Sequence, residues 1–106
     1  MRIIARRTLR AYLHRHAGAR DQVALSNALN AWFDEARIAS WTSTADVRRR
    51  YATASIVSAD RIVFNIKGND HRLIVSIDFE KAIVWIKWIG THAEYDKIDA
   101  REIEYG

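Results

Sequence analysis

Residues 64–99, FNIKGNDHRLIVSIDFEKAIVWIKWIGTHAEYDKID, contain the pattern on which the fold turns. Three runs, Arg61–Lys67, His71–Phe79 and Ala82–Ile89, are dense in Val, Ile, Phe and Trp, the composition of β-strands. Gly68-Asn69 and Glu80-Lys81 separate them as two-residue turns. Loops of that length set the register of a hairpin. Lys67 then faces Asp70, Asn65 faces Arg72, Phe79 faces Ala82, Ser76 faces Trp85 and Ile74 faces Lys87. The alternation of side chains along a strand divides these residues between two faces. Ile62, Phe64, Ile66, His71, Leu73, Val75, Ile77, Phe79, Val84, Ile86 and Trp88 form an apolar face for helices to cover. Asn65, Lys67, Arg72, Ser76, Trp85 and Lys87 lie on the other face, with Val63, Ile74 and Ile83 between them. The expected result is an antiparallel sheet with one covered side.

Upstream, Arg2–Ala5 reads as a short first strand. A helix starting near Arg7 or Thr8 carries Leu9, Tyr12 and Leu13 on one stripe, and Gly18 stops it. Asp21 is placed to cap a second helix, in which Val23, Leu25, Leu29, Trp32, Phe33 and Ala36 recur at helical spacing to about Ala39. The two helices form a hairpin against the sheet. Ser40–Asp60 is irregular, with a short helix expected over Asp46–Tyr51. Trp41 either anchors this segment to the body or reaches a nucleobase. No repeat, low-complexity tract or linker breaks the chain, and 106 residues suit one domain, 1–106, with one core.

Lys+Arg exceed Asp+Glu by 17 to 13, which favours an anionic partner only weakly. Arginine dominates the first half, and its planar fork suits phosphate. The absence of cysteine excludes disulfides, zinc ribbons and thiol chemistry, and fits a cytoplasmic location. No apolar run is long enough to span a bilayer, and MRIIARRTLRAYL lacks the apolar core of a secretory signal. No membrane partner is expected.

Bases and a tryptophan across an open sheet face suit a nucleic acid: cations hold phosphates and an aromatic ring stacks a base. An ordinary solvated face has the same composition, and both readings stand at this point. The chemistry-bearing residues follow the last strand. Cleaving RNA requires deprotonation of a 2′-hydroxyl, stabilisation of the phosphate charge and protonation of the leaving oxygen. Histidine exchanges protons near neutrality. His92 and Tyr95 follow the strand that carries Lys87, while Lys67 and Arg72 come from neighbouring strands. Asp96 is placed to orient His92 or Arg72. Each has a structural alternative: Thr91 capping a helical turn that uses His92 locally, Tyr95 as an edge aromatic, Asp96 as a turn residue. Arg48, Arg49 and Arg50 read either as a solvated edge or as a phosphate-positioning patch. His71 falls on the core face and is expected to pack there. The four histidines make no metal motif, and Asp70, Asp78 and Asp99 are scattered, so no metal is expected.

Three segments together, Val63-Phe64-Asn65-Ile66-Lys67-Gly68-Asn69, Arg72-Leu73-Ile74 and Ile89-Gly90-Thr91-His92-Ala93-Glu94-Tyr95-Asp96-Lys97-Ile98, resemble the HigB toxin family. That family sits within the RelE-like group of bacterial type II toxin–antitoxin systems. The resemblance covers about Ser40–Asp99 and is softer in the two N-terminal helices. It implies an α+β, microbial-RNase-like fold with two N-terminal helices on one face of a curved antiparallel sheet. It implies an mRNA interferase, an endoribonuclease that commonly works on translating ribosomes and needs no cofactor, neutralised by a cognate helix-turn-helix antitoxin. The implied site centres on His92 and Tyr95, with Lys67, Arg72 and Lys87 holding or stabilising phosphate. Asn65, Asn69, Trp85 and Arg48–Arg50 are the accompanying RNA-binding candidates. Further contacts to ribosomal RNA would come from Arg6, Arg7 and Arg10.

Overall fold

The computed structural model describes residues 1–103. The three apolar runs form its central strands, β3 (Arg61–Ile66), β4 (His71–Asp78) and β5 (Ile83–Thr91). Before them come β1 (Arg2–Ile4), α1 (Arg6–Arg15), α2 (Gln22–Ile38), α3 (Thr44–Arg50) and β2 (Ser55–Ile56). A single turn of helix, α4 (His92–Tyr95), follows. The sheet order is β1-β5-β4-β3-β2. The β2–β3, β3–β4 and β4–β5 pairs are antiparallel, as the turns require. β1 lies parallel to β5, with Ile4 beside Trp85, so the sheet is mixed rather than wholly antiparallel. The crossover through the helices and three further strands makes that parallel pairing possible.

The predicted register holds through Asn65–Arg72 and Ser76–Trp85. It fails at Ile74, whose partner is Trp88 rather than Lys87. Val75 pairs with Ile86 and Ile74 with Trp88, so Lys87 is the extra residue of a β-bulge. The slip reverses the faces of every later residue. Ile89 joins the helix-side core, and Trp88, expected there, lies on the opposite face.

The helix-side core joins Leu9 and Tyr12 of α1 and Leu25, Leu29, Trp32 and Ala36 of α2 to Phe64, Leu73, Val75, Ile77, Val84 and Ile89. Phe64 is its aromatic hub. Trp32 and Tyr51 meet it edge-on with centroids 5.5 and 5.1 Å away, and Trp41 stacks at 6.5 Å. Trp41 is therefore an anchor for the middle segment. Ser43 caps α3, accepting from the Asp46 N–H at 3.4 Å, so that helix starts two residues before the predicted position.

The opposite face is not an open platform. Val63, Ile74 and Trp88 form a second apolar cluster with Ala100, against which Val57, Tyr95, Ile98 and Ile103 pack. Arg61, buried at the start of β3, donates to the Ala100 carbonyl at 3.1 Å and the Ile103 carbonyl at 3.0 Å. It ties the segment after α4 across that face. Among the described residues no helix is long and apolar enough to cross a membrane.

Candidate active site at the hairpin end of the sheet

The β3–β4 turn, the end of β5 and α4 converge at one end of the sheet. Lys67 and Gly68 take positive φ values of 53° and 63°. Glycine tolerates this at no steric cost, whereas for Lys67 it is uncommon. The turn is held by the Asp70 N–H donating to the Lys67 carbonyl and by Lys67 Nζ on Asp70 Oδ2 at 2.7 Å. That ion pair lowers the Asp70 carboxyl and raises the Lys67 ammonium relative to their ordinary values.

Arg72 is buried at the start of β4, and its guanidinium makes three hydrogen bonds. Nη1 donates to the Asn69 carbonyl at 2.9 Å and the His71 carbonyl at 3.2 Å, and Nη2 donates to Asn69 Oδ1 at 2.5 Å. Asn69 therefore does more than shape the turn: it clamps the arginine. Cζ of Arg72 lies 5.8 Å from the centroid of the Tyr95 ring, within cation–π range. Tyr95 also neighbours Trp88, centroids 6.4 Å apart. Trp88 folds over Gly90, where an added Cβ would come 2.2 Å from the indole.

α4 survives as a single turn because Thr91 and Glu94 form a capping box. The Thr91 hydroxyl accepts from the Glu94 N–H at 3.2 Å, and Glu94 Oε1 accepts from the Thr91 N–H at 2.8 Å. The Thr91 N–H holds the Glu94 carboxyl below the usual carboxylate range. The His92 N–H donates to the Asp70 carbonyl at 3.0 Å, binding α4 to the turn. The His92 ring is exposed, with Nε2 3.6 Å from Asp96 Oδ1. This spacing exceeds a hydrogen bond, and between exposed groups it contributes little.

His92 lines a depression of about 450 Å³ together with His16, Asp21, Asn69, Asp70 and His71. His71 is buried, as its place on the core face predicts. Asp21 stands at the start of α2 without a side-chain cap bond; instead its Oδ2 accepts a hydrogen bond from His71 Nε2 at 2.9 Å. That bond holds the Asp21 carboxyl below its ordinary range. His71 Nδ1 is hydrogen-bonded to the Tyr12 hydroxyl at 2.7 Å, so both ring nitrogens have a partner. His16 Nδ1 donates to the Tyr12 carbonyl at 3.0 Å.

The structure thus brings Arg72, Asn69 and Tyr95 together, with Lys67, His92 and Asp96 around them. Lys87 and Trp85 are elsewhere, in a groove between α1 and β5. Asn65 Nδ2 reaches the Thr53 carbonyl at 3.5 Å. Arg49 pairs with Asp46 at 2.9 Å, Arg50 pairs with Glu35 at 2.5 Å, and Arg48 donates to the Ala52 carbonyl at 3.3 Å. Sequence reasoning missed Arg61, the Asn69 clamp and His16. The spacing of Asn69 and Arg72 around a tight turn is the one signal that would have revealed the clamp.

A family model described as HigB toxin, a RelE-like toxic component of a toxin–antitoxin system, matches residues 25–98. The match runs from α2 through α4 and includes every residue of the Arg72–Tyr95 constellation. The chain belongs to the HigB toxin family. A HigB toxin is one half of a toxin–antitoxin pair, so its partner is an antitoxin, and the α+β arrangement described above is RelE-like. In this HigB toxin β1 and α1 precede the matched span. Comparison with curated proteins finds no match.

Proposed function

We propose that this HigB toxin is an endoribonuclease that cleaves mRNA on translating ribosomes, using its own side chains as acid and base. The observation that carries the reading is the buried Arg72 guanidinium, clamped by Asn69 and set against Tyr95, with His92 on the same helical turn. A fixed cation at a partly enclosed edge stabilises the charge of a pentavalent phosphate without reorganising. One of His92 and Tyr95 takes the 2′-hydroxyl proton. The 2′-oxygen attacks phosphorus, the P–O5′ bond breaks, and the other group protonates the 5′-oxygen. The products are a 2′,3′-cyclic phosphate and a 5′-hydroxyl. Lys67 adds positive charge at the rim, and Asp96 stands beside His92 without a hydrogen bond to it. The ribosome presents the codon, and a helix-turn-helix antitoxin neutralises the toxin.

The test is mapping of mRNA ends on translating ribosomes with purified protein. His92→Ala and Tyr95→Phe are each expected to slow cleavage by about 10²–10⁴-fold while the protein remains folded. Undiminished cutting by a folded double variant rejects the assignment.

A second reading, a noncatalytic ribosome- or RNA-binding toxin, draws on one observation. His92 lines the depression with His16, whereas Tyr95 packs beside Trp88. Translational arrest without new RNA ends would select it.

A further inference from the structure

We propose that the groove between α1 and β5 is a binding site for single-stranded RNA, separate from the cleavage centre; this rests on the RNA-directed reading above. The groove encloses about 660 Å³, a size typical of ligand sites. Arg7, Ala11 and Arg15 line it from α1, and Trp85, Ile86 and Lys87 line it from β5. Among the described residues no carboxylate lines it.

The spacing on α1 suits a chain of phosphates. Arg7, Ala11 and Arg15 follow one another at four-residue intervals, which stacks them along one side of the helix. The Cα atoms of the two arginines are therefore about 12 Å apart along the axis, with a small side chain leaving a notch between them. Arg7 also sits in the first turn of α1, where the helix dipole disfavours a cation. Its neighbour Arg6 is compensated by stacking 4.2 Å above the Phe33 ring. Neither Arg7 nor Arg15 makes a direct ion pair with a carboxylate among the described residues, although the Arg15 charge reaches Glu94 and helps hold its carboxyl low. Arg15 does lie 5.3 Å from the Tyr12 ring, which holds that end of the row in place.

Across the groove, Trp85 is 40 % exposed in the middle of the sheet, a position where strand tryptophans are ordinarily covered. The β-bulge at Lys87 adds a third cation on the same strand. Two forked cations, a notch and an accessible indole match a nucleotide strand whose phosphates run along α1 while a base stacks on Trp85. An acidic antitoxin segment would use the cations but gains little from the exposed ring.

The test is fluorescence anisotropy with the full chain and a labelled single-stranded RNA of about ten nucleotides, 2′-O-methylated so that it is not cut. Arg7→Ala/Arg15→Ala is expected to weaken binding about tenfold or more at low salt. It should also reduce the slope of log affinity against log salt by about 1.4, two contacts at about 0.7 each. Trp85→Leu should weaken binding at every salt concentration without changing the slope. Wild-type affinity and slope in the folded arginine variant overturn the proposal, and they do so whether or not Trp85→Leu folds. Loss of antitoxin binding with RNA binding intact overturns it equally, in favour of a peptide in the groove. The cleavage reading fails separately: a toxin that binds RNA through Arg7 and Arg15 yet produces no new ends sinks the nuclease assignment and leaves the groove standing.

Discussion

Asn69 holds Arg72 twice, through its backbone carbonyl at 2.9 Å and its side-chain oxygen at 2.5 Å, across a turn of only four residues. The arginine fork is thereby aimed before any ligand arrives. Asn69→Ala removes the side-chain half of the clamp and leaves the backbone half. Cleavage is expected to fall about 10- to 100-fold, the cost of roughly an ångström of misplacement. Asn69→Asp, which keeps the acceptor oxygen, should recover most of the loss. Single-turnover RNA cleavage compares the three; equal rates for Asn69→Ala and wild type would remove Asn69 from the site.

Gly90 is required by its neighbour rather than by its own backbone. Gly90→Ala would drive a methyl group into the Trp88 ring, and the indole, which neighbours Tyr95, must shift. A destabilisation of about 1–3 kcal/mol is expected from overpacking. Denaturant melts measure it. A loss of cleavage larger than the loss of folded protein would show that the Trp88–Tyr95 contact matters to activity.

Phe64 gathers Trp32, Trp41 and Tyr51 around one ring. Phe64→Ala should cost about 3–5 kcal/mol, because three aromatic neighbours cannot all collapse into the space. Urea unfolding decides it. A cost below about 1 kcal/mol would mean that the hub repacks freely.

Acid should loosen α4. The Glu94 carboxyl is held low by the Thr91 N–H, so its stabilising contribution is complete above the unfolded-chain value. It disappears as pH falls through the lower folded value. The wild-type toxin is therefore expected to keep α4 protected from amide exchange at pH 6 and to lose protection below about pH 4. Glu94→Gln should show weaker protection at pH 6 and a flatter profile below it. Parallel profiles for the two proteins would refute the link.

The strands and the β3–β4 register could be read from the sequence because Gly68-Asn69 leaves one good way to close that hairpin, and the apolar alternation agrees with it. The second hairpin was legible only as far as Trp85. Ile86, Trp88 and Ile89 cannot all lie on one face of a regular strand, and the adjacent pair Trp88-Ile89 was the mark of an extra residue. Nothing local says whether a strand absorbs such a conflict by a bulge or by exposure; the choice depends on Ile89 reaching the helices and Trp88 finding Gly90. Asp21 was read as a cap from its position alone, but a buried histidine 50 residues away competes for the same oxygen and wins. The covered state of the second sheet face was out of reach for a similar reason. Ala100, Ile103 and the buried Arg61 have no periodicity that would reveal their meeting.

The parallel pairing of β1 with β5 also sets the order in which the molecule is completed. Ile4 and Trp85 are neighbours in the sheet although 81 positions apart in the chain (85 − 4). Contacts of such separation form late, after the intervening loop entropy has been overcome. During synthesis the first strand waits without a partner until the last strand has left the ribosome. The edge of the sheet, and the groove beside it, therefore close only after β5 has been made.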